Sequence, residues 1–295
     1  MTMPRPSHQV IGVTLVLTAA LLWSTSGLFI KVLTMPPLTL VGWRAFFAAC
    51  ALAPLVRWGS IRLDRRLLVL TAAYASTMIG FVVATRWTTA ANAITLQSAA
   101  PAWVFLYTCL LTRRLVLPLL WPVGLILFGL AVLMSEPGQG TSLAGNLIAT
   151  GTGVTFAALH LSFARIGQPP AGALFVSNLV TALLGLAFSP APLPDWEGGW
   201  PWLALVYLGT FQVALAMWLF SRSLQFIPVS QASVLSLLEP LLNPIWVFLA
   251  VGEHPSVFGL AGMVLILTGV LLDTALRIWL PHLRTPLPGT GGPPP

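Results

Sequence analysis

Residues suited to chemistry lie on one face of a hydrophobic segment in the second half of the chain. Ser236, Glu239 and Asn243 recur at near-helical spacing and should point the same way. Glu239 lies near the centre of an apolar run, where an ionised carboxylate costs several kcal/mol unless it is paired, hydrated or protonated. Glu239 could carry a proton or anchor a substrate ammonium. A structural role at a helix bend, near Arg44, stays open beside these.

A proline follows Glu239, and a similar segment in the first half of the chain carries a proline at the matching place. These are Pro240 and Pro101. Because proline has no amide hydrogen, the carbonyls of Gln97 and Ser236 lose their helical partners. In a membrane such carbonyls are tolerated where they face protein or a watered cavity. A kink for packing alone and a kink beside a cavity are both consistent with the sequence.

Aromatic, hydroxyl and amide side chains on other segments could complete a binding cavity. Most tryptophans fall at the ends of apolar runs, where a membrane interface favours them, but Trp23 and Trp103 lie deeper. Aromatic stripes are also common in cores and on lipid-facing surfaces, and His160 is as readily a structural histidine. The predicted substrate-binding residues are Trp23, Ser26, Tyr74, Met78, Phe81, Gln97, Trp103, His160, Tyr207, Phe211, Ser236, Glu239 and Asn243.

Motifs of catalysis and metal binding are missing from the sequence. There is no HExxH, GxSxG, Walker or CxxC pattern, and the 4 histidines are dispersed. No acid and base are predicted to face each other, so an intramembrane enzyme is the weaker alternative. We expect no catalytic residue, no metal and no cofactor.

Composition places these residues in a membrane protein. The chain has 295 residues, of which 57% are hydrophobic and 7% charged, and its mean hydropathy is +0.90. There is room for roughly ten spans of about 20 residues and no sizeable soluble domain. The net charge of +7 comes from scattered cations rather than a basic stripe, so no nucleic-acid partner is expected. The apolar runs are 10–32, 38–56, 67–86, 91–111, 118–134, 145–164, 171–189, 202–221, 229–250 and 256–280.

The two halves of the chain are predicted to be inverted repeats. Residues 84–106 and 220–249 align without a gap around their prolines, and five spans per half is an odd number. The first copy ends in Arg113 and Arg114 and the second in Glu253 and His254, as expected if these ends lie on opposite sides. Basic residues gather in loops that face the cytoplasm when both termini do. The predicted units are a first repeat, 10–134, a second repeat, 145–280, and a disordered cytoplasmic tail, 281–295.

Several motifs resemble one transporter superfamily. They are the opening segment 21–31, LLWSTSGLFIK, the pair Trp43 and Arg44, and the two proline segments with VFL after them. Over residues 10–280 the chain resembles the drug/metabolite transporter superfamily, in its ten-helix EamA-type branch. Its aromatic-rich interior is similar to the YddG-like aromatic amino-acid exporters. The resemblance implies an inverted-repeat permease that moves small organic solutes, mostly outward.

The expected protein is therefore an all-α integral membrane protein with ten transmembrane helices. We expect it to export amino acids, aromatic ones included, or similar small metabolites by alternating access through a central cavity. Export of drugs or other small metabolites is the alternative, and a channel belongs to another class. The expected location is a bacterial inner membrane. The expected partners are a small-molecule substrate and the lipid bilayer, with the chain a monomer or weak dimer.

Overall fold

The computed structural model describes residues 8–113, 115–135, 142–166, 171–191, 193, 199–227 and 229–280. Within these ranges all regular structure is helical. The helices are α1 His8–Ser24, α2 Ser26–Val32, α3 Pro37–Leu52, α4 Arg65–Trp87, α5 Ala90–Ser98, α6 Ala100–Thr112, α7 Leu120–Met134, α8 Leu143–Ile166, α9 Ala171–Ala187, α10 Trp200–Tyr207, α11 Ala216–Ser223, α12 Val229–Ser236, α13 Leu238–Val251 and α14 Val257–Trp279, with a π-helix at Leu208–Leu215. Arg114 and the predicted tail 281–295 lie outside the described residues.

Eight helical stretches of the described chain are long and apolar enough to cross a membrane. They are His8–Val32, Pro37–Leu55, Arg65–Trp87, Ala90–Thr112, Leu117–Met134, Trp200–Ser223, Val234–Val251 and Val257–Arg277. A ninth apolar helix, α9, is shorter. Helices cover all the apolar runs identified in the sequence, α8 included, and this confirms an all-α membrane fold. Ten crossings and cytoplasmic termini stay predictions.

Among the helices that begin at a capping side chain are α4, α5 and α14. Asp64, Thr89 and Ser256 each accept a hydrogen bond from the backbone N–H three residues later, at 2.8, 3.1 and 3.0 Å. Such caps satisfy amides that have no partner inside the helix. They fix the starts of α4, α5 and α14.

Helices of one half of the chain pack mainly on helices of the other half, and the most extensive of these contacts have counterparts in which the two halves are interchanged. Helix α8 packs on α4, α5 and α6, and α1 packs on α11, α12 and α13. Helix α3 packs on α9, and α7 packs on α14. The largest apolar cluster draws on both halves, from Ile30 on α2 to Val270 on α14. Each half therefore buries its apolar faces mainly against the other.

Glycines allow several of these helices to touch backbone to backbone. A Cβ added to Gly185 would lie 2.7 Å from the amide nitrogen of Gly42, where α9 meets α3. A Cβ added to Gly129 would lie 3.0 Å from the carbonyl oxygen of Gly262, where α7 meets α14. Small residues serve such close contacts in membranes, because they leave van der Waals packing between helices unobstructed.

Four apolar helical stretches are interrupted in their interior. Thr25 separates α1 from α2, Ala99 separates α5 from α6, and Leu237 separates α12 from α13. The last two breaks lie just before Pro101 and Pro240, so both prolines do interrupt their helices. The fourth interruption is the π-helix. Interrupted helices and π-helical turns expose backbone groups and are frequent at functional sites.

Candidate functional site

A buried arginine on α3 is the centre of the candidate site. Arg44 is 3% exposed, and its Nη2 donates to the Sδ atom of Met78 at 3.2 Å. Its Nη1 atom is buried and has no hydrogen-bond partner among the described residues. Tyr74 and Glu239 lie within electrostatic range of its guanidinium. The backbone of Arg44 lies against the π-helix, since a Cβ added to Gly209 would be 2.5 Å from its carbonyl oxygen.

The charge of Arg44 is poorly compensated. Burying a guanidinium inside a membrane protein costs free energy unless the group is paired. The thioether sulfur of Met78 is only a weak hydrogen-bond acceptor. Glu239 is half-buried, and it makes no hydrogen bond or ion pair with any described residue. Of the other described acids, Asp64 caps α4, while Glu253 and Asp273 form ion pairs. A basic and an acidic side chain thus lie within electrostatic range of each other, and no ion pair joins them.

Tyr74 is held rigidly beside this arginine. Its hydroxyl donates to Oδ1 of Asn178 on α9 at 3.1 Å, and its side chain is fully buried. One turn along α4, the hydroxyls of Thr77 and Thr155 are 2.8 Å apart. The predicted binding residues on α4 therefore fall into two groups. Tyr74 and Met78 approach Arg44, whereas Phe81 is buried in the largest apolar cluster.

A second polar niche lies where the α5–α6 break meets α8. A Cβ added to Gly153 would lie 3.0 Å from the carbonyl oxygen of Leu96 and 3.1 Å from Nε1 of Trp103. Within the described part of the chain, neither this indole nitrogen nor Oε1 of Gln97 has a hydrogen-bond partner, although both are buried. The predicted residues Gln97 and Trp103 thus bring an unsatisfied acceptor and donor to the broken helix.

A third niche joins the first and last interrupted helices. Nδ2 of Asn243 donates to Oγ of Ser26 at 3.3 Å, beside Gly27, and both side chains are buried. No described residue donates a hydrogen bond to Oδ1 of Asn243. One turn along α13, Nε1 of Trp246 donates to Oγ of Ser24 at 3.0 Å. These bonds tie the Thr25 break of one half to α13 of the other.

Aromatic rings line the contact between α2 and the π-helix. The hydroxyls of Tyr207 and Thr25 are 3.1 Å apart. The Tyr207 ring centroid lies 4.9 Å from that of Phe29 and 5.9 Å from that of Phe211, on which it stacks. Phe211 is 49% exposed and lines an open apolar groove of about 370 Å³ that also includes Leu52 of α3. Tyr207 therefore faces the helix break, and Phe211 faces the groove.

The remaining predicted residues lie apart from these groups. Trp23 contacts Phe220 with ring centroids 5.3 Å apart, and the exposed His160 contacts Phe156 at 4.2 Å. Oγ of Ser236 donates to the carbonyl of Ala232, 2.9 Å away, within its own helix. Among the described residues, none of these three side chains bonds to another predicted one.

Sequence reasoning missed two polar residues of the interior. The sequence indicates Arg44 as a neighbour of Glu239 and as part of the Trp43–Arg44 motif but not as a binding residue, although an arginine inside a membrane span is by default a functional candidate. Gln212 lies buried in the π-helix, and its Oε1 atom accepts no hydrogen bond from any residue that the structure describes. A glutamine in an apolar run is a weaker signal, because nothing in the sequence marks the π-helix.

An ion pair joins three segments at one end of the bundle. Lys31 Nζ lies 2.7 Å from Glu253 Oε2 and donates to the carbonyl of Thr88 at 2.9 Å. The amide of Ala90 donates to Glu253 Oε1 at 2.6 Å. This cluster, the Lys31–Glu253 latch, holds together the end of α2, the start of α5 and the segment between α13 and α14.

The chain matches known sequences and a known fold over most of its length. The model of the EamA-like transporter family matches residues 10–135 and again 143–274. An uncharacterized transporter of Archaeoglobus fulgidus is 27% identical over 268 residues, which cover 88% of this chain and 95% of that protein. The uncharacterized transporter YwfM of Bacillus subtilis is 30% identical over 142 residues, 45% of this chain and 46% of that protein. A crystal structure shares the fold, with a TM-score of 0.63 and 20% identity, covering 94% of this chain and 99% of its own.

Proposed function

Because the chain belongs to the EamA-like transporter family, we propose that this membrane transporter exports amino acids, aromatic ones included, or similar small metabolites. The observation that carries the proposal is a set of buried polar atoms without partners on or beside interrupted helices. They belong to Arg44, Gln97, Trp103, Gln212 and Asn243. Family membership also favours a transporter that is not an enzyme.

A solute with a polar head group and an apolar side chain would fit this set of buried polar atoms. Leaving a buried polar group unpaired costs about 1–3 kcal/mol, more for a charged one. A small molecule with a polar head group would satisfy several of them at once, and its apolar side chain would contact rings such as those of Tyr207 and Trp103. Aromatic amino acids combine both parts. A phosphorylated substrate is disfavoured, because a phosphate would need several cationic side chains, whereas this site has Arg44 near the acidic Glu239.

We infer that the two halves are inverted repeats that rock about this interior. Two observations support the inference. The most extensive helix contacts between the halves have counterparts with the halves interchanged, and one family model matches each half separately. The charges of the loops favour cytoplasmic termini, with the chain in a bacterial inner membrane. In that orientation the Lys31–Glu253 latch lies at the outer end of the bundle and closes it. Alternating access requires the latch to open.

Transport of phenylalanine tests the function. Purified protein in liposomes preloaded with unlabelled phenylalanine should take up labelled phenylalanine by saturable counterflow, and excess tryptophan should inhibit it. Protein-free liposomes and the same protein with unrelated sugars are the controls. Indifference to a full amino-acid panel would contradict the proposal and favour a drug or another metabolite. Flux that does not saturate would instead indicate a channel.

Breaking the latch should loosen one end of the bundle. In Glu253→Gln, we expect backbone amides of residues 88–94 to exchange with deuterium about tenfold faster, because hydrogen bonds to charged groups contribute about 1.5–3 kcal/mol. Solvent screens this pair only in part, since the side chains of Lys31 and Glu253 are 17% and 22% exposed. The matched control is Asp273→Asn, which breaks the other ion pair. Equal exchange in wild type and Glu253→Gln would show that the latch does not restrain this end.

A further inference from the structure

The unpaired side chains of Arg44 and Glu239 indicate which chemical group the site recognises. We propose that Arg44 binds the carboxylate of the substrate while Glu239 binds its ammonium group. The site would then select zwitterionic α-amino acids over amines, amino-acid amides and carboxylic acids. This inference rests on the proposed function and makes it more specific.

Arg44 has one side free for an anion. Its Nη2 atom donates to Met78, but Nη1 is buried and has no partner in the described ranges of the chain. A guanidinium forms its strongest hydrogen bonds with carboxylates, and those bonds gain strength where water is excluded. No described carboxylate forms an ion pair with Arg44. A carboxylate brought by the substrate would supply the missing acceptor.

Tyr74 is poorly placed to replace Arg44 as the donor to a carboxylate. Its hydroxyl proton is engaged with Oδ1 of Asn178, at 3.1 Å. Within electrostatic range of the guanidinium it therefore offers an acceptor rather than a donor. Recognition of a carboxylate at this point falls to Arg44.

Glu239 completes the pair. It lies within electrostatic range of Arg44, yet the two side chains do not form an ion pair. A zwitterion between them neutralises both charges and adds no net charge to the interior. An amine would leave Arg44 uncompensated and a carboxylic acid would leave Glu239 uncompensated, and an unpaired buried charge is strongly unfavourable.

Four related ligands distinguish the proposed contact of the carboxylate with Arg44 from that of the ammonium with Glu239. Binding of L-phenylalanine, L-phenylalanine amide, phenethylamine and 3-phenylpropionate would be measured on the purified full-length protein by competition with labelled phenylalanine and by ligand-induced thermal stabilisation. Wild type should bind phenylalanine at least about tenfold more tightly than each analogue. In Arg44→Gln, affinity for phenylalanine should fall to that for its amide. Arg277→Gln, in an ion pair on α14, should bind like wild type.

Each outcome decides the inference. Equal affinity of wild type for phenylalanine and its amide would overturn it, as would a folded Arg44→Gln protein that still prefers phenylalanine. Should Arg44→Gln not fold, the double variant Arg44→Gln/Glu239→Gln leaves no lone charge at this site and should lose the preference. Preserved preference in the double variant overturns the inference as well.

Binding and transport distinguish this inference from the proposed function. Counterflow of phenylalanine without discrimination against the amide contradicts the roles of Arg44 and Glu239 and leaves amino-acid transport standing. Selective, Arg44-dependent binding without counterflow supports the recognition inference and contradicts the proposed transport. A wild-type protein that neither binds nor transports any amino acid contradicts both.

Discussion

Replacing Glu239 by glutamine is expected to slow phenylalanine counterflow at least about tenfold and to remove its dependence on pH. Glutamine keeps the size of the side chain but can neither balance an ammonium charge nor exchange a proton. With the proposed roles of Glu239, a proton and the substrate ammonium compete for one carboxylate in the wild type. Substrate binding should therefore weaken as the pH falls and strengthen as it rises, until the amino group of the substrate itself loses its proton.

The pH response separates a transport role from a structural role of Glu239. If the carboxylate only stabilises a helix bend, Glu239→Gln should lower the melting temperature while the surviving transport keeps the wild-type pH profile. The control is Asp273→Asn, which removes an acid already paired with Arg277. A folded Glu239→Gln protein with normal counterflow and unchanged pH dependence would contradict the proton and ammonium roles together.

The positions of helices could be predicted from the sequence because lipid imposes a simple rule. Backbone groups in a bilayer must be satisfied within a helix, so apolar runs of sufficient length become helices. Proline breaks follow from covalent structure, since Pro101 and Pro240 have no amide to donate. The breaks before them therefore appeared in both copies, at nearly matching places.

The interior of the bundle was harder to predict, because it depends on contacts between distant segments. No proline marks the break at Thr25, where the hydroxyl bonds to Tyr207 of the other half. No local signal marks the π-helix, which lies against α3 at Gly209. Met78 and Phe81 were predicted together as binding residues, because helical spacing does not distinguish a residue of a polar site from a residue of the core. Tertiary packing made that distinction.

Gly209→Val is expected to cause the largest loss of stability among these variants. A Cβ at this position would lie 2.5 Å from the carbonyl oxygen of Arg44, 2.5 Å from Cβ of Phe47 and 2.9 Å from the amide nitrogen of Ala48. Two of these atoms belong to the backbone, so no change of rotamer relieves the overlap. Helix α3 must move as a whole, at a cost of about 3 kcal/mol or more. Thermal unfolding of the purified protein measures this loss.

The matched control is Gly151→Val, because nothing lies within 4 Å of a Cβ added to that helical glycine. It carries the same cost of a β-branched residue in a helix without the overlap. Equal melting temperatures for the two variants would contradict the close contact between α3 and the π-helix. Because that contact also positions Arg44, any Gly209→Val protein that folds should bind phenylalanine more weakly, whereas Gly151→Val should bind it normally. Gly209→Ala, with one methyl group in place of an isopropyl group, should lie between wild type and Gly209→Val in both measurements.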